Sequence, residues 1–136
     1  MLYRGMTPAQ DGLPLVGRSK RQLGVVVPGG NSLEPDIAPD PAGVVHPRTG
    51  GMSVASSTMW NLPKHRRPRG MDKVWTGYAS DRVYVIALSD VEKQPLDIRP
   101  DTPIHSLVEP SRPVALAAYE GALAATRPDW RQVWPP

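Results

Sequence analysis

The sequence predicts an α+β domain of short strands in two small sheets, closed by one helix near the C-terminus. Three observations carry the prediction. Seventeen prolines are spread through 136 residues, and proline interrupts both helices and central strands. Residues 23–27 and 82–88 are β-branched runs bounded by turn residues, the pattern of strands. A helical apolar period occurs once, over residues 114–125.

Taken in order, residues 1–6 read as an opening strand, broken by Thr7-Pro8 and Asp11-Gly12. Residues 13–16 are a short apolar patch, and 17–22 are polar and basic. Residues 23–27 read as a strand ended by Pro28-Gly29-Gly30, a strong turn signal. Residues 31–49 are a proline-rich loop without helical period, and loops of that length in compact domains often carry function. Residues 52–55 read as a strand and 62–73 as a basic loop. Residues 82–88 give the clearest strand, and 96–99 and 104–108 are shorter ones. In the final helix Pro113 suits the first turn, Arg127 complements the C-terminal end, and Pro128 bars continuation. Trp130 and Trp134 follow and are expected to pack back onto the body.

Composition bounds the rest. One domain spanning 1–136 is the natural expectation at this length, and its 40% apolar residues suit a folded core. The chain has no Cys, which removes disulfides and thiolate metal sites. It has no Phe, so Trp, Tyr, Leu, Met and Val must fill the large packing roles. The net charge of +3 is compatible with an anionic partner. No run approaches the roughly 20 apolar residues that span a bilayer. The N-terminal residues lack the apolar stretch of a conventional signal peptide, so export would require a specialised secretion machine.

The chemistry-bearing positions gather in four places. Arg4, between Tyr3 and Gly5, offers a planar fork that can hold a phosphate or ribose, or it is an edge-strand cation in water. Ser53 follows Gly50-Gly51-Met52, where paired glycines permit close backbone approach. Ser53 then either bonds a ligand or, with Ser56, Ser57 and Thr58, builds a turn. Lys64, His65, Arg66, Arg67 and Arg69 form a basic block suited to phosphate capture, to a nucleic-acid or partner patch, or to solvent. Glu109, after Leu107-Val108, can stabilise a cation or orient a hydroxyl, or serves as a surface acid. His46, His65 and His105 lack metal spacing, so no metal site is expected. No phosphate-binding glycine loop, dinucleotide fingerprint or nucleophile elbow is present.

The order strand-Arg4, strand-Ser53, strand-Glu109 resembles the Arg–Ser–Glu layout of ADP-ribosyltransferases. More closely, the chain resembles small bacterial toxins of that fold exported by the type VI secretion system. The residues that carry this are Leu2-Tyr3-Arg4-Gly5, Asp36-Ile37, Gly50-Gly51-Met52-Ser53-Val54, Leu62-Pro63 with Arg66-Arg67-Pro68, and His105 through Glu109-Pro110. The resemblance implies NAD bound in a cleft between two small sheets. Arg4, with Tyr3 and either Arg66 or Arg67, would hold it, Ser53 would position the ribose, and Glu109 would assist cleavage of the glycosidic bond. It also implies a producer's cytoplasm as the site of synthesis, delivery into a target cell, and a cognate immunity protein. The chain departs from the family at Ser53-Val54-Ala55, where Ser-Thr-Ser is common. It departs again at Leu107, where a second acid or Gln selects an arginine-type acceptor. Two other readings stand beside this one. One is an RNA-directed toxin with His65 or His105 as general base. The other is a non-enzymatic module whose basic loop docks an acidic partner.

Overall fold

The computed structural model describes residues 1–29, 34–72 and 77–136. Strand β1 spans Leu2–Met6, β2 Val44–Val45, β3 Met52–Ser56 and β4 Arg82–Ile86. Helix α1 covers Leu88–Glu92, and β5 (Leu96–Thr102) and β6 (His105–Pro110) form the next hairpin. Strand β7 (Val114–Ala115), helix α2 (Leu116–Ala125) and β8 (Arg131–Trp134) complete the chain. Six strands form one antiparallel sheet in the order β5-β6-β3-β1-β4-β8. The second sheet is a ladder of β2 and β7 alone. The fold is therefore α+β, mostly antiparallel sheet with one main helix near the C-terminus.

Alternation along the strands sends side chains to two unlike faces. One face buries Leu2, Met6, Met52, Val54, Tyr84, Ile86 and Val108 against Tyr119, Ala122 and Leu123 of α2 and Val91 of α1. The other carries a smaller cluster in which Ala55 and Val83 meet Leu62, Met71, Tyr3 and Trp134. With no Phe in the chain, Tyr84 and Tyr119 are the largest fully buried side chains. Tyr119 also ties the layers together. Its hydroxyl donates to the Val108 carbonyl at 2.6 Å and accepts from the Met52 N–H at 3.3 Å, so α2 clamps β3 to β6.

Several elements differ from the sequence expectation, each for a definable reason. Residues 23–27 are not a strand, although Leu23, Val25 and Val26 are buried. Their backbone partners come from separate segments and not from one neighbouring strand: the Leu23 N–H donates to the Leu15 carbonyl, the Gly17 N–H to the Leu23 carbonyl and the Asp36 N–H to the Val26 carbonyl, and side chains add to these. Arg4 takes the carbonyls of Gln22 and Gly24, and the Asp36 carboxylate accepts from the Val26 N–H at 2.7 Å. The strand expected over 82–88 stops at Ile86, and α1 follows it. Helix α2 begins at Leu116, because Val114–Ala115 remains extended to pair with β2. Pro113 thus precedes a strand and not a helical turn. Arg127 does not serve the end of α2; its guanidinium donates to the Pro14 carbonyl and the Asp11 carboxylate. Trp130 packs inward as expected, its indole N–H donating to the Thr126 hydroxyl at 2.9 Å. Trp134 closes the smaller cluster from β8. The turn expected through Gly30, the first residues of the 31–49 loop and the end of the basic loop at Lys73 lie outside the described residues. Among the described residues no helix is long and apolar enough to cross a membrane.

Candidate active site

The site lies where β1 and β3 part. The two strands pair only at Leu2–Ser56 and Tyr3–Ala55, whereas β1 follows β4 along its whole length. Beyond Tyr3 the gap is bridged by a side chain. Arg4 stands on the buried face of β1, paired in register with Tyr84, and its Nη1 donates to the Ser53 carbonyl at 2.7 Å. Its Nε and Nη2 donate to the Gln22 carbonyl at 3.2 and 2.9 Å. Longer contacts of 3.4 Å reach the carbonyls of Ser19 and Gly24. The guanidinium thereby gathers the loop before residue 25 and the strand carrying Ser53 around one centre.

A cavity of about 240 Å³ opens at this junction. It is lined by Arg4, Lys20, Ser53, His65, Arg66 and His105, with Gly5, Val54, Ala55, Leu62 and Pro63 forming the rest of the wall. Gly5 is needed here because a Cβ would collide with the backbone carbonyl of Arg66, which crosses over β1. The paired glycines before Ser53 act similarly. The Gly51 N–H donates to the Asp36 carbonyl at 3.0 Å, and a Cβ on Gly51 would meet the Val108 carbonyl at 2.5 Å.

The lining is cationic. Burial pulls the Arg4 guanidinium down to about 10; Asp36 opposes that shift and Arg66 adds to it. Arg4 thus remains charged at neutral pH, bonded only to neutral carbonyls. Arg66 is held below its usual range, chiefly by burial, with Asp36 opposing. Lys20 is ion-paired with Asp36. A cluster of partly desolvated cations of this kind favours a multivalent anion.

The structure places the sequence-selected residues unequally. Arg4, Ser53 and Arg66 meet at the cavity. Tyr3 is not on its wall; it packs on the smaller cluster beside Ala55. Arg67 is also turned to a different task. Its guanidinium donates to the carbonyls of Leu62 and Trp60 and to Asp72, which folds the basic loop on itself. Glu109 is buried, and its Oε2 accepts from the Arg48 N–H at 2.9 Å and from Arg99 at 3.0 Å. It stands on the same face of β6 as His105 but is not among the residues lining the cavity. Ser56 ends β3, its hydroxyl sharing a 2.8 Å hydrogen bond with that of Ser106, and Ser57 and Thr58 make the turn that follows: Ser57 has φ of 75° and Thr58 accepts from the Trp60 N–H. Among the described residues no group of three His, Asp or Glu side chains is arranged to hold a metal.

Lys20 escaped notice in the sequence because nothing in the basic stretch Arg18-Ser19-Lys20-Arg21 marks which of its cations faces a cavity. Asp101 escaped it too: its Oδ1 lies 2.5 Å from Nδ1 of His105. A spacing of four residues across a hairpin tip pairs such side chains only once the turn geometry is known. The chain matches no protein-family model, and no curated protein matches it.

Proposed function

We propose that the cavity receives part of NAD as substrate and that the protein is an ADP-ribosyltransferase-type toxin acting on an intracellular target. The observation that supports this most is the splayed β1–β3 junction, where the buried cation of Arg4 and the strand of Ser53 meet beside Arg66, Lys20 and two histidines. At about 240 Å³ the cavity is smaller than the ~300–1,000 Å³ of sites that enclose whole ligands. It therefore suits a portion of a dinucleotide, with the remainder lying over the rim. The cations fit a pyrophosphate, and Val54, Ala55 and Leu62 supply apolar wall for a ring.

NAD supplies a ribose carbon from which nicotinamide can depart. The chain's own residues bind and orient it. Arg66 and Arg4 offer charge on the cavity wall, Arg4 while fixing the Ser53 strand, and Lys20 adds a cation that it shares with Asp36. The Ser53 hydroxyl is available to a ribose oxygen. Glu109, anchored by Arg99 and the Arg48 N–H, holds negative charge on the neighbouring strand. A cognate immunity protein would cover the cavity mouth.

The test is NAD binding by calorimetry and nicotinamide release, for wild type beside Arg66→Ala and Ser53→Ala. Both variants should bind NAD at least tenfold more weakly, a loss of about 1.4 kcal/mol or more. Wild type that neither binds nor consumes NAD overturns the proposal. A second reading draws on the same lining. His65 and His105 beside Arg4, Lys20 and Arg66 also suit phosphodiester chemistry on RNA. It predicts RNA cleavage without NAD that is lost in the histidine variants.

A further inference from the structure

We propose that His105, oriented by Asp101, is the general base that takes the proton from the acceptor, here water or a hydroxyl. This rests on the NAD reading above and deepens it. Three observations carry the inference. His105 lines the cavity. Its Nδ1 lies 2.5 Å from Asp101 Oδ1, which sets Nδ1 as the donor and leaves Nε2 as the basic nitrogen. Finally, the carboxylate reaches that position through a break in register. Pro100 pairs with Ser106 and Thr102 with His105, so Asp101 is the extra residue of a β-bulge. Bulges re-aim a side chain at the cost of ladder pairing.

Glu109 is less suited to this proton transfer. Its Oε2 already accepts from Arg99 and the Arg48 N–H, and it is absent from the cavity wall. His65 also lines the cavity, but among the described residues no carboxylate is hydrogen-bonded to its ring. The charged and titratable groups around His105 are Asp101 on the bulge and, about the cavity, Lys20, His65, Arg66 and Arg4. Asp101 accepts the Nδ1 hydrogen bond and so holds the ring in place as Nε2 takes up the proton.

The step balances as follows. The acceptor O–H proton passes to Nε2 of His105 as the oxygen bonds to C1′ of the ribose. The C1′–N bond breaks, its electron pair leaves with neutral nicotinamide, and the proton is released from His105 to water.

The experiment compares full-length wild type, His105→Gln and Asp101→Asn. NAD binding is read by calorimetry, nicotinamide release is followed with water as acceptor across pH, and each assay is repeated with sodium azide. Azide is an anionic nucleophile with no proton to lose. The expected result for His105→Gln is a loss of about 100-fold or more in kcat with NAD affinity kept. The acid limb of its pH profile should flatten, and azide should restore turnover to it but not raise that of wild type. Asp101→Asn should show a smaller kcat loss with a displaced acid limb. Full kcat in His105→Gln, loss of NAD affinity in step with kcat, or failure of azide to rescue overturns the base assignment alone. Wild type that does not bind NAD overturns the parent reading, and this inference with it.

Discussion

Replacing Arg4 by Met keeps most of the side chain's bulk and deletes its donors. The two shortest bonds, to Ser53 at 2.7 Å and Gln22 at 2.9 Å, link segments 49 and 18 residues away in sequence. A hydrogen bond to a charged group contributes about 1.5–3 kcal/mol, so losing both removes about 3–6 kcal/mol. Water from the adjoining cavity can reach some of the freed carbonyls and recover part of that. Deleting a cation buried among neutral groups also relieves a desolvation cost. The net loss expected is about 2–4 kcal/mol. Urea unfolding followed by Trp fluorescence reads it as a midpoint lowered by about 1–2 M for a slope near 2 kcal/mol per M. The corollary concerns function: loss of activity in an Arg4 variant would not by itself identify a ligand contact, because the wall of the cavity goes with it. A midpoint within about 0.3 M of wild type, together with lost NAD binding, would refute this reasoning. It would show that Arg4 serves the ligand and not the fold.

Three further outcomes are expected. Tyr119→Phe leaves the Val108 carbonyl and the Met52 N–H without their partner and should cost about 1–3 kcal/mol by denaturant titration. Burial also raises the Tyr119 pKa, so the folded state keeps a proton that the unfolded chain loses near pH 10. That share of stability is present below pH about 10 and is lost progressively above it, so the wild-type-minus-Phe difference should begin to shrink near pH about 10 and keep shrinking as pH rises further. Arg4 works in the opposite sense over that range, because its lowered pKa lets the folded state shed a proton first; the difference between the two proteins removes it apart from its charge interaction with Tyr119. Gly5→Ala forces a Cβ against the Arg66 carbonyl and should destabilise by about 1–3 kcal/mol while weakening NAD binding, read by thermal melting and calorimetry. Leu123→Ala, at a fully buried position of α2 that does not line the cavity, should cost about 2–5 kcal/mol and leave NAD affinity of the folded protein unchanged.

The strands read most securely from sequence were those whose signal is local. Residues 82–86 and 52–55 alternate or run apolar over a full strand length, and both form ladders. The helix near the C-terminus was also legible, since its period is contained in about ten residues. Arg4 and Ser53 were legible as a pair of candidates because each sits on such a strand. The errors came where backbone groups are satisfied from far away in the chain. Residues 23–27 have the composition of a strand but take their backbone partners from separate segments, among them Leu15, Gly17, Arg4 and Asp36. Val114 and Ala115 belong to the helical period but are drawn into pairing with Val44 and Val45.

The sequence by itself thus determined an α+β chain of short strands with a helix near its end, because apolar periodicity and proline placement act within a few residues of chain. Only the tertiary structure decided that six strands share one sheet, that β1 and β3 part after Tyr3, and that Lys20, Arg66, His65 and His105 face one cavity with Arg4. Those facts depend on hydrogen bonds and ion pairs between residues tens of positions apart. The free energy of such contacts is set by burial and geometry that no local window of sequence contains.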